Sequence, residues 1–380
     1  MKIGLANLLA FGLGVSLTLP AGAATTKTTT KATPAPATPV VPTSTAPVVV
    51  GSEVAGFTTM NVAASSTAGK PQLSLDGIGL ITHIAYQGVA TSVDENTLTD
   101  TAANWTDNQF NPAKATTATA SYYLELAAGP LAGATFDILK TDAKHQRLTL
   151  AEDLPARAGK TPAFYIRPHW TIASLFGAAN SAGLQAGDAT DSDLISIYDG
   201  KKYEQYYFSN VAPDATGSAA AIGNGWRKVG AGADDASLTA IFPDEGLSIT
   251  RLATTPVDLL LMGVVKTSQT LIPVDRGLNI VANVYQAPIV LSKSNLYTHN
   301  AVTGLRGGES AATADTVQIF NGTGYETYYY QSSVKNGVGW RSSTDPKTDA
   351  SGTEIAVGSA FVIERRGSAG FNWFVPAPTP

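Results

Sequence analysis

Two stretches of this chain are versions of one another. Asp193-Leu-Ile-Ser-Ile-Tyr-Asp-Gly-Lys-Lys-Tyr203-Glu204-Gln-Tyr206-Tyr207-Phe208 aligns without a gap with Asp315-Thr-Val-Gln-Ile-Phe-Asn-Gly-Thr-Gly-Tyr325-Glu326-Thr-Tyr328-Tyr329-Tyr330, a separation of 122 residues (315 − 193). Gly183-Leu184-x-x-Gly187 precedes the first stretch as Gly304-Leu305-x-x-Gly308 precedes the second. Gly225-Trp226-Arg227 follows as Gly339-Trp340-Arg341, now 114 residues apart (340 − 226), so the loop before the tryptophan is longer in the first copy. Ile249-Thr250-Arg251 and Ile363-Glu364-Arg365 keep the separation of 114. A repeat on this scale means two units of one supersecondary design. It divides the folded part into a first duplicated β module at 168–284 and a second at 285–375, with 51–167 as an N-terminal β module of another kind and 376–380 as a disordered tail.

The local patterns are those of strands. Val, Ile, Thr and Tyr recur in short runs split by Gly, Asp, Asn and Pro, the spacing of an all-β protein built of antiparallel sandwich or barrel-like modules with little helix. Asp199-Gly200 and Asn321-Gly322 sit between alternating runs and accept the positive φ of a hairpin turn, so each copy opens with a hairpin. In its second strand Glu204, Tyr206 and Phe208 share one face and Tyr203 and Tyr207 the other, which predicts cover on both sides. Further strands are expected at 225–229, 238–241, 247–251, 259–265 and 280–285, and in the N-terminal module at 122–126, 135–139, 147–150 and 164–167. One helical turn is expected at 171–176, with Thr171 as its cap and Gly177 at its end.

The N-terminus carries an address. Lys2, an apolar run from Ile3 to Leu19, and Ala21-Gly22-Ala23 have the order of a secretory signal peptide, residues 1–23. Residues 24–50, rich in Thr, Pro and Ala, read as a disordered spacer, because such a composition buries no core. No later stretch approaches the roughly 18 apolar residues that span a bilayer, so no transmembrane segment is expected in the mature chain. The expected location is the periplasm, the cell surface or the extracellular space. The whole chain has 380 residues and a formal net charge of −5. Removing 1–50 removes Lys2, Lys27 and Lys31 and no acid, leaving net −8. That balance gives no basic surface for nucleic acid, and the absence of cysteine excludes disulfides and thiolate metal sites.

A resemblance is carried by several blocks in order: Gly56-Phe-Thr-Thr59, Tyr122-Tyr-Leu-Glu-Leu-x-x-Gly129, Gly133-Ala-Thr-Phe136-Asp-Ile138, Phe164-Tyr-Ile-Arg-Pro168, and then the Tyr-Glu-x-Tyr-Tyr, Gly-Trp-Arg and Ile-x-Arg motifs. With these the chain, over about 51–375, resembles a paralogous family of secreted proteins of unknown function common in Verrucomicrobia-type bacteria. The resemblance implies export and an envelope or extracellular role, and no catalytic residues.

No local motif selects a reaction. His83, His145, His169 and His299 lack metal-ligand spacing, and there is neither a nucleophile elbow nor a P-loop. No metal, cofactor or catalytic residue is expected. The acidic loop at Gly187-Asp188-x-x-Asp191-x-Asp193 reads as a solvated turn rather than a calcium site. Glu204 and Glu326, equivalent carboxylates in aromatic strands, are the pair a glycosidase would need if burial raised a pKa. The plainer expectation pairs them with Arg227 and Arg341 of the same copy. Trp226, Trp340, Tyr206 and Tyr328 recur and are candidates for stacking on sugars, or for the core. The expected function is an exported, non-catalytic structural or assembly protein of the envelope or extracellular matrix, with self-association or an envelope component as partner. Binding of a polysaccharide is the alternative, and glycoside hydrolysis a lesser one.

Overall fold

The computed structural model describes residues 53–111, 120–198, 202–211, 223–334 and 337–378. The signal peptide, the spacer and the Asp199-Gly200 turn lie outside the described residues. The chain is all-β.

The first strands are β1 (Ala55–Val62) and β2 (Gln72–Asp76). Seven more follow: β3 (Tyr86–Val89), β4 (Ser92–Asp94), β5 (Thr97–Thr99), β6 (Tyr122–Leu126), β7 (Thr135–Asp142), β8 (Arg147–Leu150) and β9 (Ala163–Pro168). These seven pair only with one another, in the order β3-β9-β6-β7-β8-β5-β4. Then come β10 (Trp170–Thr171), the helical turn α1 (Ile172–Phe176), β11 (Leu194–Tyr198), β12 (Tyr203–Ser209), β13 (Gly225–Lys228), β14 (Ala240–Ile241), β15 (Leu247–Arg251) and β16 (Val257–Val264). The last group is β17 (Thr270–Val274), β18 (Gly277–Ala282), β19 (Ile289–Val290), β20 (Thr316–Phe320), β21 (Tyr325–Gln331), β22 (Gly339–Ser342), β23 (Glu354–Ile355), β24 (Ala360–Arg365) and β25 (Phe371–Val375).

The pairing extends the repeat in both directions. One five-stranded sheet runs β13-β12-β11-β15-β2 and the other β22-β21-β20-β24-β18, so β2 and β18 hold the same place. The ribbon β1-β16 corresponds to β17-β25, and β10-β14 to β19-β23. Copy one is therefore assembled from 55–76 together with 170–264, and copy two from 270–375. The seven-stranded sheet is an insertion between β2 and β10 of copy one, where copy two has only a short connection from Ala282 to Ile289. Hydrogen bonding thus cuts across the boundaries at 167/168 and 284/285 drawn from sequence similarity. Strands β1 and β2 join copy one, and β17 and β18 join copy two.

Three apolar cores result. Met60, Val62, Ile195, Trp226, Ile249 and Leu259 belong to the core of copy one. Ile272, Val317, Trp340, Ile363 and Trp373 belong to that of copy two. Leu98, Leu124, Ile138, Leu148 and Phe164 belong to that of the inserted sheet. The copies meet about a local two-fold. The Gly77 amide donates to the Gly358 carbonyl at 2.9 Å, and at the equivalent positions the Ala282 amide donates to the Asp244 carbonyl at 2.9 Å.

Local expectations fare well where short-range chemistry decides them. In α1 Thr171 accepts from the Ser174 amide and the Ser174 hydroxyl accepts from the Thr171 amide, a reciprocal cap. Gly177 ends the turn at φ +84°, where a β-carbon would sit 2.1 Å from Ser181 Oγ. The second-copy hairpin closes through the four residues 321–324 rather than a two-residue turn. The Asn321 amide donates to the Gly324 carbonyl, and the Asn321 side chain accepts from the Thr323 and Gly324 amides. The strand expected at 280–285 is displaced to Gly277–Ala282. Buried Asn283 ends it by donating to the carbonyls of Ala287, Ile355 and Ala356.

Candidate functional site

The repeated aromatic residues build repeated cores. Trp226 is 1% exposed, donates from Nε1 to the Gly177 carbonyl at 2.8 Å and packs edge-on against Phe208. Trp340 is 3% exposed and meets Tyr330 edge-on. Tyr206 and Tyr328 are buried beside them, and Tyr207 and Tyr329 are buried on the opposite face of the same strands. Neither indole presents a face to solvent, so of the two readings, sugar stacking or core, the burial of Trp226 and Trp340 matches the core.

The carboxylates are also placed otherwise than expected. Glu204 lies between Lys202 at 2.9 Å and Lys228 at 3.1 Å. Arg227 pairs in register with Tyr207, and the pleat turns it to the other face. There it donates to the carbonyls of Trp226 and Asn224. Arg341 likewise donates to the Trp340 and Gly337 carbonyls and to Asp349. Glu326 is exposed and accepts from Tyr328 at 2.7 Å and Asn321 at 3.2 Å. Burial pushes Glu204 upward, but the two lysines outweigh it and its pKa is lowered. The Tyr328 hydroxyl, helped by Asn321, lowers Glu326. Both shifts run opposite to the elevation a general acid requires.

Sequence reasoning read Asp193 as part of a solvated turn. It is fully buried and paired with Arg251, and its Oδ1 accepts from the Leu252 amide at 2.8 Å. The same arrangement recurs at Asp315, which pairs with Arg365 and accepts from the Arg366 amide at 2.7 Å. The signal was available: Asp and Arg recur at both ends of the repeat, and a buried charge requires a partner.

The densest cluster of ionisable groups outside the repeats is at the docked face of the inserted sheet. Alternation in β6, β7 and β9 sends Leu124, Leu126, Ile138, Phe164 and Ile166 into the inserted core and Tyr123, Glu125, Asp137 and Arg167 to the other side. Glu125 is held by Lys266, from the link between the copies, and by Arg167 Nε at 2.9 Å. Arg167 also donates to Glu53 and to the Thr82 carbonyl, both at 2.6 Å. His169 Nε2 meets Asp137 Oδ1 at 2.8 Å. Burial drives the Glu125 pKa up, yet Lys266 and Arg167 together bring it below the usual carboxylate value. Burial raises Tyr123, and the neighbouring Glu125 charge adds to it. Burial also raises Asp244. Tyr123, Glu125, Asp244, Lys266 and Leu271 line a cleft with room for about one water molecule. Both Glu125 oxygens are engaged by cations. The arrangement fixes the inserted sheet against the link and against the segment that leads into β1.

A second feature is on the surface. The outward residues of the β1-β16 ribbon pair as Phe57↔Met262, Thr59↔Leu260 and Asn61↔Asp258. Phe57, Leu260 and Met262 are 63%, 73% and 66% exposed, and Val54 beside them is also exposed. In copy two the position of Thr59↔Leu260 is taken by Leu271↔Phe374. There Leu271 is part of the inserted core and Phe374 packs against it.

Among the described residues no group of three His, Asp or Glu side chains is placed to hold a metal ion. No helix among them is long and apolar enough to cross a membrane. Comparison of the chain with family models, with curated proteins and with solved structures finds no match.

Proposed function

We propose that the chain is an exported, non-catalytic protein with a structural or assembly role in the cell envelope or extracellular matrix. The observation that carries this reading is the Glu125–Lys266–Arg167 network. These buried charges tie the inserted sheet to the link between the copies and, through Arg167 and Glu53, to the segment that leads into β1. Export is supported by the order of residues 1–23 and by the family resemblance. Fractionation of cells producing the chain with and without 1–23 tests it. The expected result is recovery of the complete chain from the envelope or medium and of the truncated chain from the cytosol. Equal cytosolic retention of both overturns it.

One observation favours glycan binding as a second reading. In copy two, Tyr297 and Tyr330 stack with centroids 3.5 Å apart and His299 edge-on at 4.9 Å to Tyr297, all at least partly exposed. Their copy-one equivalents, Phe176 and Phe208, are buried. Hydroxylated rings at a surface suit sugar contacts. Retention on insoluble polysaccharide that is lost in folded Tyr297→Ala supports this reading, and unchanged retention removes these residues from it.

A further inference from the structure

We propose that the outward face of the β1-β16 ribbon is a contact surface for a second copy of this chain. The inference deepens the assembly role and rests on it. The quasi-equivalent faces supply the first reason. In copy two the same ribbon face, at Leu271 and Phe374, is covered by a β layer, the inserted sheet. In copy one the face is more apolar, with Phe57, Leu260 and Met262, and is open. Large apolar residues therefore stand where no layer among the described residues covers them. Isolated exposed apolar residues are ordinary, but a cross-strand pair with a large apolar neighbour is a patch.

Charge selects the mode of contact. Among the outward ribbon residues the only ionised group is Asp258, at one end beside Asn61, whose amide donates to it at 2.5 Å. The other end is Ala55 and Val264, with Val54 beyond. Two ribbons packed face to face with like ends together would oppose their Asp258 carboxylates. A two-fold axis across the strands instead places each Asp258 near the Ala55–Val264 end of the other copy, where the neighbouring carboxylate, Glu53, is already paired with Arg167, and stacks Phe57, Leu260 and Met262 at the centre. Sheets packed in this way sit about 10 Å apart. Four large apolar side chains, Val54, Phe57, Leu260 and Met262, form the patch, against roughly 20–30 residues a side in a standard interface. A stable dimer buries about 800 Å² per partner. The contact is thus a weak one, seen in solution as concentration-dependent association.

Sedimentation velocity on the mature full-length protein from about 5 to 200 μM tests the proposal. The wild type is expected to shift from monomer toward dimer across the series. Leu260→Lys and Met262→Glu are expected to remain monomeric with an unchanged circular dichroism spectrum and melting midpoint. Val302→Glu, an exposed position away from the ribbon, is expected to associate as wild type. A wild type that stays monomeric throughout overturns the proposal, as does equal association of the ribbon variants. Binding of a monomeric wild type to phosphatidylglycerol vesicles, lost in Met262→Glu, also overturns it and gives the face to a lipid surface. The export on which the envelope role rests fails separately, by the cytosolic retention described above.

Discussion

Trp226 and Trp340 show what the repeat preserves at single positions. Each indole fills the core of its own copy, and Trp226 also ties the end of α1 through the Gly177 carbonyl. Trp226→Ala should cost about 3–5 kcal/mol, the usual range for emptying an aromatic core site, read as a lower urea midpoint. Binding to any glycan should be unaffected in the fraction that remains folded. Asp76 makes the opposite kind of prediction. It ends β2 at the local two-fold, its Oδ2 has no hydrogen-bond partner among the described residues, and burial raises its pKa to about 7. Its copy-two counterpart is Val281. In the unfolded chain the carboxyl ionises near its ordinary 3.8, before the folded one does. Stability should therefore fall as pH rises from about 4 to about 7 and level off above that. A shift of about three units corresponds to about 4 kcal/mol. Asp76→Asn should match wild type near pH 4 and exceed it above pH 7, by thermal or urea unfolding followed across that range.

Elements were legible in the sequence to the extent that neighbours in the chain decide them. The hairpin β20-β21 and the strands β6, β8 and β15 follow from alternation and turn residues, and α1 from a cap and a glycine a few residues apart. Strand ends were less legible. Asn283 stops β18 through carbonyls of residues far along the chain, which no local pattern announces. The turn between β6 and β7 illustrates how an element acquires a tertiary duty. Gly133 has φ +85°, and a β-carbon there would lie 2.4 Å from the Gln269 carbonyl oxygen. Its own carbonyl accepts from the Leu271 amide at 3.2 Å. Gly133→Ala should both strain the turn and push the inserted sheet off β17. The expected sign is faster proteolysis at 267–271, measured by limited digestion, with the other turns unaffected.

At the scale of the whole molecule the inserted sheet is held by buried ion pairs as well as by apolar contact. Removing one member of a buried ion pair strands the other and typically costs about 3–5 kcal/mol. Lys266→Met should accordingly be destabilising by that order. Glu125→Gln should cost a similar amount, since it leaves Lys266 and Arg167 facing a neutral amide. The double variant Glu125→Gln/Lys266→Met should recover part of the loss, because no unpaired charge remains between those two positions. Chemical denaturation of the four proteins measures the coupling. Additive effects would mean that the pair does not act as a unit.

By itself the sequence determined the class of fold, the presence of two related units and which repeated residues matter, because alternation, turn chemistry and duplication are properties of nearby residues or of one copy compared with another. It also marked Glu204, Glu326, Trp226 and Trp340 as equivalent without saying which way they face. Tertiary structure decided the partners. Strand β1 pairs with β16 across some two hundred residues, as Ala55 does with Val264, and β17 leaves the copy it follows to join the copy it precedes. An alternating strand specifies a buried face but not the strand it will lie beside, since backbone hydrogen bonds are the same for every sequence. For that reason the insertion of 86–168 into copy one, the Glu125 junction and the uncovered Phe57–Leu260–Met262 face emerge only once the strands are paired.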